Sequence, residues 1–171
     1  ITDLDAIPHP ARHKLKLEKY FAAGRAYREP SKQEPAFPII TSRSCPAYCT
    51  FCSTHQMMGN YRERSVANII EEIEFLIDEY GMREIYFLDD ALAHGNFREV
   101  LKLMVKNNYG LTWHGANGTA IYSMDEELIE LSAKTGCYKI IFSIESGVPK
   151  TLKYMGKPVN LNTVPDIIKK V

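Results

Sequence analysis

Beyond residue 36 the chain alternates short, unbroken apolar runs with longer stretches whose apolar residues recur at helical spacing. Nothing else in the sequence restricts the fold as strongly. Residues 37–41 form the first run. A helical stripe follows in Val66, Ile69, Ile70, Ile73, Ile77 and Tyr80, with Ser65 placed to cap its start and Gly81 just past its end. Residues 85–88 (IYFL) have the pattern of a strand covered on both faces. Phe97, Val100, Leu101 and Met104 make the next stripe, and residues 111–115 read as a weaker strand. Ser123-x-x-Glu126 forms a capping box that opens a helix through Leu128 and Leu131 to Gly136. Residues 139–144 predict a further buried strand, and a last helix is expected near Asn162. The order β-α-β-α-β-α-β-α with short connections implies parallel strands joined by right-handed helical crossovers. Four such units are too few to close an eight-unit barrel. The expected fold is therefore α/β, a partial barrel of about four parallel βα units.

Residues 1–38 break this rhythm. Pro8, Pro10, Pro30, Pro35 and Pro38 punctuate them around a short helical patch over residues 15–21. They are expected to form an extended and helical lead-in arm or linker, with 39–171 as the core. The opening ITDLDAIPHP lacks the apolar stretch of a signal peptide, and it lacks an initiator Met, which predicts a fragment of a longer protein. Of 171 residues 45% are apolar, enough for one sizeable core. The 21 basic residues balance the 21 acidic ones, so no net field favours nucleic acid or an anionic membrane. No apolar run approaches the roughly 20 residues that span a bilayer. The clustering of Cys45, Cys49 and Cys52 suggests metal ligation rather than a disulfide framework, and a reducing cytoplasm as location.

In parallel sheets the site is built at the C-terminal ends of the strands. The first strand is followed by the cysteine loop CPAYCTFC and the second by Asp89-Asp90. The third precedes Asn117-Gly118 and the fourth Glu145-Ser146-Gly147. Thiolates spaced C-x3-C-x2-C can fold around a zinc ion, with His55 as a fourth ligand, or around an iron–sulfur cluster. Cys137 precedes the fourth strand, at the opposite end of the sheet from the triplet, and reads as a small core residue. Three protein thiolates leave one iron of a cluster open to another ligand.

The stretch TSRSCPAYCTFCS, with an aromatic before its last cysteine, resembles the radical SAM superfamily. YRERSVANIIEEIEFL, IYFLDD, WHGANG, MDEELIELSAKTGCYKIIFSIESG and the later MGK are similar to its cobalamin-dependent branch. That branch includes methyltransferases and the anaerobic magnesium-protoporphyrin cyclase. In it, DLDAIPHPAR-type sequence joins an N-terminal B12-binding domain to the radical SAM core. The resemblance implies a [4Fe–4S] cluster on Cys45, Cys49 and Cys52 whose unique iron chelates S-adenosylmethionine (SAM). Reductive cleavage of SAM then gives a 5′-deoxyadenosyl radical that abstracts hydrogen from a substrate. Cobalamin would enter through a missing N-terminal domain, and electrons from an external donor of flavodoxin or ferredoxin type.

The resemblance also implies roles. Asp89 and Asp90 stand where the family binds the SAM amino group, although the glycines of the family's Gly-Gly-Glu form are lacking. Either could instead cap the next helix. Ser143, Glu145 and Ser146 stand where it contacts ribose and carboxylate, Ser143 being alternatively just a small strand residue. Asn117 is a SAM or substrate contact or a turn former, and the backbone near Phe51 is expected to meet the adenine. No catalytic side chain is assigned. Tyr48 is placed to shield the loop. His94 and His114 read as ordinary histidines near the site edge, and Arg62 and Arg64 as solvated charges beside Glu63. About four units is fewer than the family's usual six, so this chain is expected to be incomplete or inactive alone. The expected activity is SAM cleavage used to methylate, cyclise or oxidise a substrate that the sequence leaves unknown. The alternatives are a radical SAM enzyme without cobalamin and a non-catalytic Cys3His zinc or cluster module.

Overall fold

The computed structural model describes residues 1–23 and 30–171, so part of the arm, residues 24–29, lies outside the described residues. The elements run α1 (Leu17–Ala22), β1 (Ala36–Ile39), β2 (Ser42–Arg43), α2 (Thr54–Met58), β3 (Arg62–Glu63), α3 (Val66–Tyr80) and β4 (Glu84–Phe87). They continue with α4 (Phe97–Asn107), β5 (Thr112–Gly115), α5 (Glu126–Lys134), β6 (Cys137–Lys139), α6 (Pro149–Met155) and α7 (Val164–Lys170). Strands β1, β4, β5 and β6 form one parallel sheet in that order, with Ile39 opposite Phe87 and Phe87 opposite Gly115. The α/β partial barrel that the apolar alternation predicts is present.

Side-chain alternation along the strands explains the two faces. Phe37, Ile39, Ile85, Phe87 and Trp113 point into the core under the helices, where Ile69, Ile73 and Leu76 of α3 and Val100 and Leu101 of α4 meet them. Burying each such side chain stabilises the fold by about 1.5–3 kcal/mol. Ala36, Tyr86 and Ala116 form a smaller cluster on the other face. Strand β4 is buried on both sides, as its continuous apolar run predicts. Trp113 sits edge-on to Phe87 at 5.4 Å and to Phe97 at 5.6 Å, and its Nε1–H donates to Thr135 Oγ1 at 2.9 Å.

Ser65 caps α3 by accepting from the Asn68 N–H, and Gly81 ends it in the left-handed conformation at φ 62°. Both follow the expected signals. The cap of α5 differs. Asp125, not Ser123, accepts from Leu128 N–H at 2.9 Å, because Ser123 is taken up in a one-turn 3-10 helix just before it. The last strand also differs from the expected 139–144. Cys137 opens β6, the ladder ends at Lys139, and Phe142 only bridges Thr119. Cys137 packs half-buried against the core, and burial pushes its thiol up to about 11. α6, α2 and the β2–β3 pair are additional to the expected elements.

The arm packs onto the core. Leu4 is buried, and the Arg12 guanidinium reaches Glu72 of α3 at 2.7 Å and Pro38 O at 3.0 Å. Arg64 pairs with the same carboxylate. It is thus no solvated partner of Glu63, which instead accepts from Asn96 N–H at 2.7 Å. Arg62 bonds the Ile1 and Met58 carbonyls. No helix among the described residues is long and apolar enough to cross a membrane.

Candidate metal centre

The antiparallel pair β2–β3, with Ser42 opposite Glu63 and Arg43 opposite Arg62, closes residues 44–61 into one loop above the end of β1. Ser44 is fully buried in the left-handed region at φ 73° and donates to Gly59 O at 2.7 Å, which pins the loop's two ends together. Asp89, at the end of β4, fastens its approach. The Asp89 carboxylate accepts from the Thr41 N–H (3.0 Å) and hydroxyl (2.7 Å) and from the Ser42 N–H and hydroxyl (both 2.6 Å). Burial pushes the Asp89 carboxyl up, and these donors pull it down. All four contacts converge on Oδ1, so a side chain without that oxygen leaves two N–H groups and two hydroxyls unpaired. Asp89→Ala is therefore expected to lower stability by about 3 kcal/mol, read as a lower urea midpoint, and to reduce iron uptake by the cysteine loop.

A second fastening comes from far along the chain. The turn after α6 lies under the loop: Thr50 N–H donates to Met155 O at 2.9 Å, and Cys49 Sγ approaches Gly156 O at 3.9 Å. Gly156 sits at φ 64°, and a Cβ there would come to 3.0 Å from Tyr48 O. A glycine is required because two backbones touch while one of them is left-handed.

Between this loop and the strand ends lies a cavity of about 120 Å³ whose wall includes Cys45, Cys49, Cys52, Phe51, Asp90, Asn117, Ser143 and Lys157. The three cysteines form no disulfide. Burial pushes the Cys45 and Cys49 thiols up. Cys52 adds to this at Cys45, and Cys45 and Cys52 add to it at Cys49, while Lys157 pulls both back down. Ligation by these sulfurs must therefore displace protons. Among the described residues, no three His, Cys, Asp or Glu side chains close tightly on one bare ion. His55 does not line the cavity; its Nε2 lies 2.9 Å from Ala47 O and its ring stacks on Tyr48 at 4.0 Å. The three soft thiols on the wall of one cavity suit an iron–sulfur cluster, and Cys45, Cys49 and Cys52 are the residues that would hold it.

Of the other expected site residues, Phe51, Asp90, Asn117 and Ser143 come together here, Asn117 also donating to Leu88 O at 2.8 Å. Gly118 lets its strand approach closely, since a Cβ there would lie 3.3 Å from Ser143 Oγ. Asp89, Glu145 and Ser146 are not on the cavity wall. Asp89 is turned to Thr41 and Ser42, and Ser146 Oγ accepts from Val148 N–H at 3.1 Å. Glu145, at φ 69°, reaches the cavity only through its 3.3 Å pair with Lys157. Tyr48 is exposed beside its stacked histidine. His94 borders Tyr61, Tyr122 and Ser123 without lining the cavity. His114 lies on the inner sheet face, where Tyr138 donates its hydroxyl hydrogen to Glu84 at 2.8 Å and so accepts from His114 Nδ1–H at 2.9 Å. Lys157 and Tyr122 were not predicted. The Tyr122 phenol, pushed up to about 12 by burial, faces Cys45. The MGK signal marks Lys157, whereas nothing marks Tyr122.

A larger groove of about 520 Å³ runs between the arm and β1. Its wall is mainly apolar and has no thiol; of its charged members, Arg12 and Arg64 both pair with Glu72, and Glu34 and Arg43 also lie on it.

The family described as the radical SAM superfamily matches residues 39–171. The chain is 40% identical over 172 residues to cytidylyl-2-hydroxyethylphosphonate methyltransferase of Streptomyces wedmorensis, covering 98% of this chain and 32% of that protein. It is 26% identical over 163 residues to the anaerobic magnesium-protoporphyrin IX monomethyl ester cyclase of Rubrivivax gelatinosus, covering 94% and 28%. The chain thus spans about a third of the length of these curated relatives. Among solved structures it is similar in fold to the radical SAM methyltransferase TsrM of Kitasatospora setae, determined with cobalamin and a [4Fe–4S] cluster bound. The TM-score is 0.66 at 18% identity, over 78% of this chain and 28% of that one. Three cysteines on a loop above a parallel sheet, in a stretch that the family matches from β1 onward, make this chain a member of the radical SAM superfamily.

Proposed function

We propose that this chain is the cluster-bearing part of a cobalamin-dependent radical SAM enzyme of the methyltransferase type. The observation that carries the reading is the convergence of Cys45, Cys49 and Cys52 with Asp90, Asn117 and Ser143 on one cavity. Identity to a methyltransferase over nearly the whole chain supports the reaction type. The cobalamin bound in TsrM supports the second cofactor. When bound, the cluster and SAM supply one-electron chemistry that no side chain can. The chain's own groups bind and orient. The cysteine thiolates would ligate iron, the Asp90 carboxylate would suit the SAM ammonium, and Ser143 and Asn117 could offer hydrogen bonds to its polar groups. Asp89 acts one step back, by holding the loop approach, and Glu145 through Lys157. An external flavodoxin- or ferredoxin-type donor would supply the electron.

Anaerobic reconstitution of the full-length protein with iron and sulfide tests this. A brown protein with about four irons is expected, and Cys45→Ala, Cys49→Ala or Cys52→Ala should each abolish the colour. A colourless protein with a single tight zinc overturns the cluster. Absence of cobalamin binding by the full-length protein overturns the branch while leaving the cluster standing.

A further inference from the structure

Lys157 is the only cation on the wall of the thiol cavity among the described residues. Its placement is enforced. Its own N–H donates to Leu152 O at 3.0 Å, and the preceding residue is Gly156, pressed against the backbone of Tyr48 and Cys49. Its side chain is only 16% exposed, and its Nζ lies 3.3 Å from Glu145 Oε1. Glu145 holds its own backbone in the left-handed region at φ 69°, which is unfavourable for a residue with a Cβ. A surface ion pair would need neither this burial nor this clasp.

We propose that Lys157 sets the reduction potential of the cluster held by Cys45, Cys49 and Cys52, with Glu145 as the counterion that moderates it; this rests on the cluster reading above. Three thiolates bring negative charge to a partly desolvated cavity, and reduction adds one more electron. A cation on the wall stabilises the reduced form more than the oxidised one, because the attraction grows with the charge it faces and is weakly screened there. The Glu145 carboxylate opposes it. The two substitutions therefore have opposite signs.

The test is an electron paramagnetic resonance redox titration of the reconstituted full-length protein without SAM. A low-potential chemical reductant donates one electron per cluster, taking [4Fe–4S]2+ to [4Fe–4S]1+ and becoming oxidised itself. In Lys157→Gln the equilibrium constant for reduction is expected to fall about tenfold, a ~59 mV lower midpoint for one electron. Glu145→Gln should move it upward, and Lys157→Arg should stay near the parent. If Lys157→Gln fails to take up iron, the upward shift in Glu145→Gln carries the test. Midpoints unchanged in variants with a full cluster overturn the inference, even if SAM affinity falls. A parent protein that assembles no cluster overturns the cluster reading instead.

Discussion

Gly136→Ala is expected to lower stability by about 4 kcal/mol, at the upper end of what one methyl group does to a protein. Gly136 turns the chain from α5 into β6 at φ 87°, and a Cβ there would stand 2.1 Å from Leu111 O and 3.2 Å from Leu111 C. Both are backbone atoms, so no side chain can swing aside. Relief requires moving the start of β5, which is tied by Thr112 N–H to Arg83 O at 3.0 Å and by Trp113 N–H to Gly136 O at 3.1 Å. The left-handed conformation itself accounts for only about 1–2 kcal/mol. Gly81→Ala separates the two effects, since Gly81 is also left-handed, at φ 62°, with nothing within 4 Å of a Cβ. Urea unfolding followed by circular dichroism should show a large loss for Gly136→Ala and only about 1 kcal/mol for Gly81→Ala. Equal losses would show that conformation, not contact, decides both.

The second large effect is expected at Glu72. Its side chain is 2% exposed on α3 and holds both Arg12 of the arm and Arg64 of the loop return. Glu72→Ala removes the one carboxylate shared by two largely buried guanidinium groups, and the loss of a buried ionic partner costs about 3–5 kcal/mol. Arg64 keeps the neutral acceptors Asn68 and Ile40 O. Glu72→Gln keeps an acceptor and should lose less. Arg12 retains Pro38 O, so the arm loosens rather than leaving altogether. Proteolysis should reveal this, with cleavage before Ala36 appearing in Glu72→Ala under conditions where the parent resists. An arm equally resistant in both proteins would remove the ion pairs from any role in docking it.

The fold was legible because its signals are local and repeated. The stripe from Val66 to Tyr80, with Ser65 and Gly81 at its ends, depends only on neighbours a turn apart, and β4 announces itself as an unbroken apolar run. The last strand was harder, since β6 keeps ladder contact only to Lys139 and Phe142 touches Thr119 alone. The α5 cap slipped by two residues because Ser123 and Asp125 are both good capping types, and only the 3-10 turn decides between them. In the site, chain position told which residues reach the sheet's end but not which way they turn. Adjacent residues at a strand end face opposite ways, so Asp90 enters the cavity while Asp89 turns back to Thr41 and Ser42. Lys157 escaped prediction because its place depends on a backbone clasp to Thr50, far away in sequence.

The single tryptophan of these 171 residues has a practical consequence for the chain studied by itself. Trp113 is sealed between Phe87 and Phe97 in the strand that leads to Asn117, so its emission belongs to a single, dry environment. A coloured cluster bound in the same domain would drain that emission by energy transfer, whereas unfolding would shift it to longer wavelength. One fluorescence spectrum thus separates loading, which dims the signal in place, from denaturation, which moves it.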